Sequence, residues 1–565
     1  MVTDILLQSL PNYVPFIDGD KRISFTQFQN DIKSYCFALQ KIESSSAILY
    51  IPDNIYLFYV CFMALLYADK DIILPGYLTD SMIPDVLKLS PVLITDEKFS
   101  NASKDLIDPT TIITNETADL KPIQNGYISF FTSGSTNAPK IITKTFESLM
   151  LEIQIHSEMQ QSVIKKSPIV LATVMPNHMY GMLWRFLFPL YNQLTQDLDT
   201  IFYPEEIQAK QKLYHYISLI TTPTFMNEIV AYDSQYHFSK NCLAIYSSGS
   251  LLSQATSEKM YHLFNVSPFE IFGSTETGGV AYRQQISSQE FCVFPTVKIE
   301  QNVDKTIKIN SSFSYKSPYD MQDLIEPTSN NTFKLLGRND RIVKIAENKV
   351  SLSEMESKLS QNSLVKESYC LSIPKGNNMV LGALICLNGQ GNSLLKKNGK
   401  LYLVQALKKY LSAWYSKNVL PKKIRFVYQI PKNTQGKILK KEIESIIHSP
   451  CSEPIIENLI YEKNKLQADL TFLKDNIYFK GHFPDFPILP GVIQLHTIFY
   501  FLEHFFHETP QNYSIQKLKF TNLILPDTTI QFQLEKVEQD KYNFHLNHEN
   551  KPCASGIVAI GGKDV

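Results

Sequence analysis

The chain has 565 residues, and its 54 Lys and Arg against 55 Asp and Glu give a formal net charge of -1. This balance excludes a strongly basic nucleic-acid-binding protein, and 44% hydrophobic with 19% charged residues excludes a disordered chain. At roughly 150 residues per domain, the length predicts three or four domains.

The N-terminal segment and the cysteines favour a cytoplasmic protein. The opening sequence, MVTDILLQSLPNY, lacks the basic region, apolar run and cleavage site of a secretory signal. The longest apolar run, residues 55–68, is shorter than the roughly 20 residues that span a bilayer, so it predicts a buried helix and no transmembrane segment. The eight cysteines are scattered without a CxxC pair, which indicates reduced thiols, and no metal-ligand spacing is present.

Short β-rich segments alternate with helical segments over about the first 330 residues, which predicts α/β layers. Strands are predicted at residues 46–50, 92–95, 169–174 and 244–246. A second block, residues 339–447, has strands and helices of its own, and the Pro- and Ser-containing segment 449–453 predicts a linker. An apolar, aromatic block with many histidines follows.

Residues 131–145 read FTSGSTNAPKIITKT and follow the predicted strand 126–130. Backbone N–H groups and hydroxyls of such a loop can surround phosphate oxygens, and Lys140 adds a positive charge. The loop differs from a Walker A sequence because Pro139 precedes Lys140 and Ile141 follows it. The segment predicts a phosphate-binding loop of another kind, with a surface turn as the alternative.

The string TSGSTNAPK at residues 132–140 resembles the phosphate loop of the adenylate-forming superfamily, which includes acyl-CoA synthetases, aryl-CoA ligases, peptide-synthetase adenylation domains and luciferases. The family has Gly where this chain has Asn137, and Asn also tolerates a positive φ angle. The resemblance implies that the loop holds the β- and γ-phosphates of ATP. The implied contacts are Thr132, Ser133, Gly134, Ser135, Thr136 and Lys140.

Further motifs follow in the order of that family. Residues 176–181 (PNHMYG) resemble a turn beside the acyl pocket, and a structural histidine is the alternative for the turn's His178. The pocket residues implied are His178, Met179, Tyr180 and Phe225. Residues 247–251 (SSGSL) resemble the adenine-stacking segment without its usual Pro, which implies that Gly249 and Ser250 approach the nucleotide closely.

Residues 272–276 read FGSTE and resemble the family's Tyr-Gly-Ser/Thr-Thr-Glu motif. The resemblance implies that Phe272 lies beside adenine, that Thr275 contacts phosphate and that Glu276 binds Mg²⁺. Gly273 and Ser274 belong to the same nucleotide-binding segment. A solvated glutamate is the alternative for Glu276.

Two motifs near residue 330 concern the ribose and a hinge. Asp323 aligns with the ribose-binding Asp of the family, although Met-Gln replaces the Thr-Gly that usually precedes it. Residues 337–340 (GRND) imply that Arg338 contacts the ribose or α-phosphate region. Asp340 is implied to be the hinge between a large domain, 1–336, and a mobile lid, 337–447.

The implied catalytic lysine lies in residues 431–442, PKNTQGKILKKE. Lys437 would steady the attacking carboxylate and the charge that develops at the α-phosphate. A solvated or carrier-facing surface is the alternative, because seven basic residues lie between Lys422 and Lys441. The family usually has Gly at Glu347, beside its thiol tunnel, so this chain departs there.

Residues 479–496, FKGHFPDFPILPGVIQLH, resemble the hot-dog-fold 3-hydroxyacyl-carrier-protein dehydratases, and most closely the dehydratase-like domains of aryl polyene biosynthesis. The motif implies a catalytic His482, and strands are predicted at 518–525, 530–534 and 554–559. The second catalytic residue of the family is an acid fourteen positions later, where this chain has His496. A His/His pair can supply an acid and a base, whereas an inactive acyl-binding module, a thioesterase relative or a packed helix-face histidine are the alternatives.

Together the resemblances imply an α/β chain with four segments: a large AMP-binding domain (1–336), a small α+β lid (337–447), a linker (448–454) and a hot-dog α+β domain (455–565). Family hot-dog sites form across a dimer, which implies a homodimer. The implied enzyme uses ATP and Mg²⁺ to convert an aryl or acyl carboxylic acid to an acyl-adenylate, transfers it to a phosphopantetheine thiol, and carries a fused dehydratase-like activity.

Alternatives stay open for this function. Two domains that act on acyl thioesters favour an acyl carrier protein over free coenzyme A as the acceptor. The C-terminal domain is alternatively a module that only dimerises or binds acyl chains, and the whole chain is alternatively a silent nucleotide- and acyl-binding scaffold. The sequence leaves the carboxylic acid open.

Overall fold

The structure is a computed structural model, and it describes most of the chain. The described residues are 5–8, 10–76, 78, 82–99, 106–112, 116–123, 126–132, 140–231, 237–303, 305–345, 348–375, 378–432, 438–449, 453–462, 464–474, 476–483, 485–506, 508, 513–538 and 540–560. They fall into two compact units, one formed by Met1–Leu336 and the other mainly by Gly337–Asn433 and Ile438–Val565.

The first part of the chain, up to residue 145, has short strands around a long buried helix. Its elements are 3₁₀ turns at Ile5–Leu7 and Pro109–Thr111, β1 (Phe16–Asp18), β2 (Lys21–Ile23), α1 (Phe25–Gln40), β3 (Ser46–Tyr50), α2 (Ile55–Tyr67), β4 (Asp71–Leu74), α3 (Ile83–Val86), β5 (Leu93–Thr95), β6 (Leu106–Ile107), β7 (Tyr127–Thr132) and β8 (Lys140–Thr145).

Alternating strands and helices, followed by a run of antiparallel strands, make up residues 146–338. They are α4 (Phe146–Met159), α5 (Gln161–Ile164), β9 (Ile169–Ala172), α6 (Met179–Gly181), a π-helical turn (Met182–Leu187), α7 (Phe188–Tyr191), β10 (Gln196–Thr200), α8 (Pro204–Leu213), β11 (Ile217–Thr221), α9 (Pro223–Ala231), β12 (Cys242–Ser247), α10 (Gln254–Phe264), β13 (Phe269–Ser274), β14 (Gly278–Arg283), β15 (Phe291–Val293), β16 (Lys298–Gln301), β17 (Thr306–Asn310), β18 (Tyr319–Pro327) and β19 (Thr332–Arg338).

The second unit contains a small α+β region and a strand-rich C-terminal region. Their elements are a 3₁₀ turn (Asn339–Arg341), β20 (Ile342–Ile345), β21 (Asn348–Ser351), α11 (Leu352–Ser360), β22 (Val365–Lys375), β23 (Asn378–Leu387), α12 (Gly389–Leu411), β24 (Lys423–Phe426), α13 (Lys440–His448), β25 (Ile455–Glu462), β26 (Lys465–Thr471), a 3₁₀ turn (Ile477–Phe479), α14 (Gly491–Phe505), β27 (Tyr513–Phe520), β28 (Thr529–Glu538), β29 (Lys541–His548) and β30 (Lys551–Ile560).

Helix α2 is the buried helix that the apolar run predicts. Its residues from Ile55 to Tyr67 are almost all buried, and the Asn54 side chain caps the helix by accepting the Leu57 N–H at 2.9 Å. An all-round apolar helix belongs in a protein core when it is this short. Across the described ranges, no helix is both long and apolar enough to cross a membrane.

Two large sheets organise the first unit. The smaller has the order β6-β5-β3-β4-β7-β8, and the larger has the order β16-β17-β18-β19-β15-β14-β13-β12-β11-β9-β10-β1-β2. In the larger sheet β10, β9, β11, β12 and β13 are parallel, so their carboxyl ends meet at one edge. Ligands of α/β proteins bind at that edge.

The C-terminal region is one long helix against an antiparallel sheet of order β25-β26-β28-β29-β30-β27. Helix α14 buries Ile498, Phe501 and Leu502 in the same core as the inward side chains of the sheet, and the Phe501 and Phe532 rings are 4.7 Å apart. This is the arrangement expected of a hot-dog fold.

The strand predicted at 518–525 is wrong in position. Strand β27 starts at Tyr513 and ends at Phe520. Beyond it the side chains of Thr521 and Asn522 both donate hydrogen bonds to the carbonyl of Pro552, which takes these residues out of the regular ladder.

Candidate active sites

The segments 247–251 and 272–276 lie side by side at the carboxyl edge of the parallel strands. Strands β12 and β13 pair in register through Ser247 and Glu270, and the Ser248 hydroxyl donates to the carbonyl of Ile271 at 3.0 Å. Gly249 has φ +93°, a backbone conformation that favours glycine, and Ser250 next to it is exposed. The structure therefore brings together the two segments that the sequence assigns to the adenine.

A tight turn carries Glu276 between β13 and β14. Ser274 and Thr277 close the turn reciprocally, since each backbone N–H donates to the other's hydroxyl, at 3.1 and 3.2 Å. A Cβ atom at Gly273 would lie 2.1 Å from the carbonyl oxygen of Gly278, so a side chain cannot fit there. The turn thus fixes the backbone on both sides of Glu276.

Lys140 and Tyr319 reach the Glu276 carboxylate from two other parts of the chain. The Lys140 ammonium donates to Glu276 Oε1 at 3.0 Å and to the Tyr319 hydroxyl at 3.3 Å. Lys140 begins β8 and Tyr319 begins β18, so three distant segments meet here. The contact joins the end of the predicted phosphate loop to the predicted metal ligand.

Charge pairing controls the titration of this site. Burial by itself would raise the pKa of Glu276, but the hydrogen bond and the positive charge of Lys140 outweigh burial and lower it. The hydrogen bond to Glu276 in turn raises the pKa of Lys140. Glu276 is therefore an anion and Lys140 a cation at neutral pH, as a site for a phosphate with its counter-ion needs.

The remaining phosphate-loop residues lie outside the described part of the chain. Ser133, Gly134, Ser135 and Thr136 all belong to the stretch 133–139, between the described β7 and β8. Thr132 ends β7, and its backbone pairs with Lys140. Of the predicted phosphate-loop contacts, the described ones are thus Thr132 and Lys140, and Lys140 also contacts Glu276.

Phe272 and Asp323 lie on two strands of the larger sheet, β13 and β18, with β14, β15 and β19 between them. The Phe272 ring packs against Phe291 and Phe333, with centroids 5.5 and 5.8 Å away. Asp323 is buried in β18, four residues after Tyr319. Thr275, in the turn itself, is half-buried.

The four predicted acyl-pocket residues divide between two cores. Met179 packs into the main core, whereas Phe225 packs into the core on the other face of the larger sheet. Tyr180 donates its hydroxyl to the carbonyl of Thr221, at the end of β11, and burial raises its pKa well above the usual range. His178 is half-buried at the start of α6. Tyr180 and His178 are at the strand edge, while Met179 and Phe225 flank the sheet.

In the second unit, Arg338 and Asp340 form a two-pronged ion pair, with Nε to Oδ1 at 3.0 Å and Nη2 to Oδ2 at 3.1 Å. Burial opposes ionisation of Asp340, but the Arg338 guanidinium outweighs it and lowers the carboxyl pKa. Gly337, with φ +123°, precedes the pair. Lys437 and Glu347 lie outside the described residues.

The residues at the Glu276 turn fit a Mg²⁺ ion that arrives with ATP. Within the described ranges, no group of three or more His, Cys, Asp and Glu side chains is placed to hold a metal. Mg²⁺ in nucleotide sites commonly takes one or two carboxylates, with phosphate oxygens and water completing the shell. A single anionic Glu276 that contacts Lys140, at the end of the predicted phosphate loop, meets that need.

In the C-terminal region, the two predicted catalytic histidines, His482 and His496, have different surroundings. His482 is half-buried, its Nδ1 lies 3.2 Å from the carbonyl oxygen of Ile488, and its ring stacks on Phe483. His496 is exposed on α14. Both residues are described, and no hydrogen bond joins them within the chain.

Exposed apolar side chains surround His482. Backbone hydrogen bonds place Ile488 beside His482 and Leu489 beside Ile524, so three loop segments are contiguous. We call the exposed residues here the apolar rim: Phe483, Phe486, Val492, Phe520, Leu523 and Leu525. Gly491 lets Phe520 approach, because a Cβ atom there would lie 2.8 Å from the ring. A surface patch of this kind is typical of an interface.

Sequence reasoning missed three residues at the Glu276 turn. Tyr319 carries no local signal, since its contact with Lys140 spans 179 positions. Lys144 and Glu152 are buried charged residues. Lys144 follows the buried Ile142 by two positions in β8, and Glu152 follows the buried Leu149 by three positions in α4, so both lie on inward faces. A charged residue at an inward position is the sequence signal that could have identified them.

Two family models match the chain. Residues 81–302 match the AMP-binding enzyme family and residues 458–557 match the ApeI dehydratase family. A 4-coumarate–CoA ligase of Cereibacter sphaeroides is 27% identical over 242 residues, which cover 42% of this chain and 55% of the relative.

A 3-hydroxyacyl-[acyl-carrier-protein] dehydratase, FabZ of Clostridium perfringens, is 31% identical over 68 residues, covering 11% of this chain and 49% of the relative. The chain thus spans about half the length of these two curated relatives. Among solved structures, the O-succinylbenzoate coenzyme A synthetase of Bacillus subtilis with bound AMP is similar, with TM-score 0.65, 15% identity, and coverage of 78% of this chain and 98% of that one.

These matches confirm the predicted fold class and the two predicted resemblances. The part of the chain that aligns with the solved synthetase has the adenylate-forming fold, and residues 458–557 match the ApeI dehydratase family. The chain therefore joins an AMP-binding domain of the adenylate-forming ligase fold to a C-terminal ApeI-like dehydratase domain.

Proposed function

We propose that this protein activates a carboxylic acid with ATP, transfers the acyl group to a phosphopantetheine thiol, and dehydrates a 3-hydroxyacyl thioester in its C-terminal domain. The observation that carries the ligase proposal is the 3.0 Å contact between Lys140 and Glu276. It unites a cation for phosphate and a carboxylate for Mg²⁺ at the ligand-binding edge of the sheet.

The first step would join the substrate carboxylate to the α-phosphorus of ATP and release pyrophosphate. Lys140 and the loop from Thr132 would hold the β- and γ-phosphates, Phe272 and Gly249 the adenine, and Asp323 the ribose. When bound, Mg²⁺ would neutralise phosphate charge beside Glu276. Lys437, which lies outside the described residues, is proposed to steady the attacking carboxylate.

In the second step a thiolate would attack the acyl carbonyl and release AMP, which is a far better leaving group than the oxide of a free carboxylate. Residues 1–336 are proposed as the large domain, 337–447 as a lid that turns at Asp340, and 455–565 as the hot-dog domain after a linker. A carrier-protein thiol is favoured over coenzyme A, because the fused domain belongs to a family that acts on carrier-bound chains.

The aromatic acids are the first substrates to test. The similar proteins include one named for 4-coumarate and one named for O-succinylbenzoate. Tyr180 and His178 at the strand edge suit an aromatic or medium-chain acyl group. The free, mostly buried cysteines fit a reducing compartment such as the cytoplasm.

For the dehydratase step, His482 is proposed as one acid–base group and His496 as the other, contributed across a homodimer. The exposure of His496 and the apolar rim around His482 support a site completed by a second copy. The alternative is a C-terminal module that only dimerises or binds acyl chains, or a thioesterase relative. The replacement of the family's usual acid by His496 supports this alternative.

The test of the ligase is carboxylate-dependent exchange of pyrophosphate into ATP, with a panel of aromatic and fatty acids. Holo-carrier protein and coenzyme A are then compared as acceptors for the activated acid. Exchange with at least one acid supports the proposal. No exchange with any acid overturns the proposal, and ATP binding without exchange identifies the silent nucleotide- and acyl-binding scaffold.

A further inference from the structure

Three charged or titratable side chains are buried directly beneath the Glu276 turn. Lys144 of β8 and Glu152 and His156 of α4 expose only 3%, 2% and 2% of their surfaces. Buried charges are costly unless they are paired and hydrogen-bonded. Their partners show what this cluster holds in place.

Lys144 binds backbone on one side of the turn. Its ammonium donates to the carbonyl of Glu276 at 3.0 Å and also to the carbonyl of Phe313. Burial lowers the pKa of Lys144 to about 8, while the charges of Glu152 and Glu276 act in the opposite direction. At neutral pH Lys144 is thus a charged hydrogen-bond donor in a buried environment, where charge-assisted hydrogen bonds are strong.

Glu152 binds backbone on the other side of the turn. Its Oε1 accepts the N–H of Gly279 at 2.7 Å. Gly278 has φ +72°, and a Cβ atom there would lie 2.5 Å from Glu152 Oε2, so the carboxylate packs against bare backbone. His156 Nε2 lies 3.5 Å from Glu152 Oε1, and the His156 ring is held between Trp184 and Phe294.

We infer that Lys144 and Glu152 are positioning residues that clamp the backbone at both ends of the turn and thereby aim the Glu276 carboxylate at the metal of the bound nucleotide. This inference rests on the proposed function. Lys140 approaches the carboxylate itself, whereas Lys144 and Glu152 hold the Glu276 carbonyl and the Gly279 N–H. The clamp would therefore keep Glu276 in place when Lys140 turns to the phosphates.

Four variants test the clamp: Lys144→Met, Glu152→Ala, Glu152→Gln and the matched control Lys210→Met. Lys210 is another lysine of the first unit; it is half-buried, and its ammonium lies 2.6 Å from Asp197, away from the Glu276 turn. Two readouts are used on the full chain, the hydrogen-exchange rate of the 274–283 segment and the Mg²⁺ concentration that half-saturates ATP binding, measured by calorimetry.

Lys144→Met and Glu152→Ala are expected to speed exchange in the turn and to raise the half-saturating Mg²⁺ concentration about tenfold, the loss expected for one charge-assisted hydrogen bond. Glu152→Gln is expected to recover most of the loss, because its amide oxygen still accepts the Gly279 N–H. Lys210→Met is expected to match the native protein in both readouts.

The outcomes separate the clamp from the proposed function. Faster exchange with unchanged Mg²⁺ dependence makes the residues merely structural and overturns the inference, as does an equal shift in Lys210→Met. If the native chain binds ATP and Mg²⁺ but exchanges no pyrophosphate, the proposed ligase activity fails while the clamp is still decided by both readouts. If the native chain binds no ATP, both fail together.

Discussion

At the Glu276 turn, polar side chains from three distant segments, Lys140, Glu276 and Tyr319, meet inside a single chain, and Lys140 donates hydrogen bonds to the other two. At the histidine site, His482 and His496 share no hydrogen bond, and exposed apolar side chains surround His482. The first site holds its ligand-binding charges ready, as catalysis by preorganised electrostatics requires. In the proposed dehydratase site, a second copy of the chain would supply the enclosure that His482 and His496 lack within one chain.

The two sites also differ in what one substitution should disturb. The sites belong to separate compact units and to separate family matches. If they are independent, a change at either one leaves the other activity intact. His482→Ala and Glu276→Gln are therefore each assayed for both activities.

The largest effect is expected for His482→Ala. Removing a general acid–base group typically costs 10²- to 10⁴-fold in rate, so dehydration of a 3-hydroxyacyl-carrier substrate should fall by about that factor. The measurement is formation of the enoyl thioester by ultraviolet absorbance. Pyrophosphate exchange should not change.

His504→Ala is the control for this variant. His504 is exposed on the same helix as His496, and its Nδ1 only contacts the carbonyl of Tyr500. A substrate left unchanged by native protein, His482→Ala and His504→Ala alike would place the C-terminal domain among non-catalytic acyl-binding modules, and equal measurable rates would remove His482 from the site.

Glu276→Gln should affect the other site. The amide keeps the shape of the side chain but removes its charge, so Lys140 and the nucleotide's metal both lose their anionic partner. Pyrophosphate exchange should drop roughly 10²- to 10³-fold, as when a preorganised electrostatic contact is lost. Dehydration should be unaffected.

Glu258→Gln is a suitable comparison, because Glu258 lies exposed on α10 and accepts a hydrogen bond from Gln254, one turn away on the same helix. Exchange at the native rate in Glu276→Gln would remove Glu276 from the metal site and with it the central argument for the ligase assignment.

Much of the fold and part of the ligase site were predictable from local patterns. The predicted strand 46–50 coincides with β3, the apolar run 55–68 is α2, and the segments 247–251 and 272–276 lie adjacent. These features depend on residues close in sequence or on a motif of fixed order. Local propensity and hydrophobic period carry that information.

Long-range contacts were not predictable in the same way. Nothing near Tyr319 indicates that its hydroxyl binds Lys140, and nothing near Lys144 indicates that its ammonium binds the carbonyl of Glu276, 132 positions away. The apolar residues Leu523 and Leu525 led to the prediction of a strand at 518–525. They lie beyond the end of β27 and are exposed. Their apolar character belongs to the rim, which sequence periodicity does not separate from a core.

A third prediction concerns the charge buried beneath the turn. Burial lowers the folded-state pKa of Lys144 to about 8 from an ordinary 10.5, so the unfolded chain holds this proton more tightly. The loss of folding free energy caused by burying the charged ammonium is complete below pH 8, and it is relieved as the pH rises to 10.5. The native protein should therefore gain about 3 kcal/mol relative to Lys144→Met over that window.

Urea unfolding of both proteins across that range measures the difference. Lys210→Met is again the control, with the opposite sign expected. Burial of Lys210 is outweighed by hydrogen bonds to Asp197 and Asp199, so the pKa of Lys210 is raised and its stabilisation is lost at high pH. A native-minus-Lys144→Met difference that does not vary with pH would show that Lys144 is not desolvated.

The smallest effect is expected at the apolar rim. Leu523 is 57% exposed, and a dimer that covers it gains roughly 1.5 kcal/mol, so Leu523→Asp should weaken dimerisation at least about tenfold. Sedimentation measures the dissociation constant. Leu401→Asp, at a 71% exposed leucine of α12, should leave the dimer unchanged.

Leu523→Asp also tests whether the histidine site, unlike the Glu276 turn, needs a second copy of the chain. If His496 of a second copy completes the site, dehydration by Leu523→Asp should fall at low protein concentration and recover at high concentration, in step with the dimer fraction. Pyrophosphate exchange should follow neither, because the Glu276 turn is paired within one chain. A fully active monomeric Leu523→Asp would mean that one chain encloses the histidine site unaided, and the contrast between the two sites would then lie only in their chemistry.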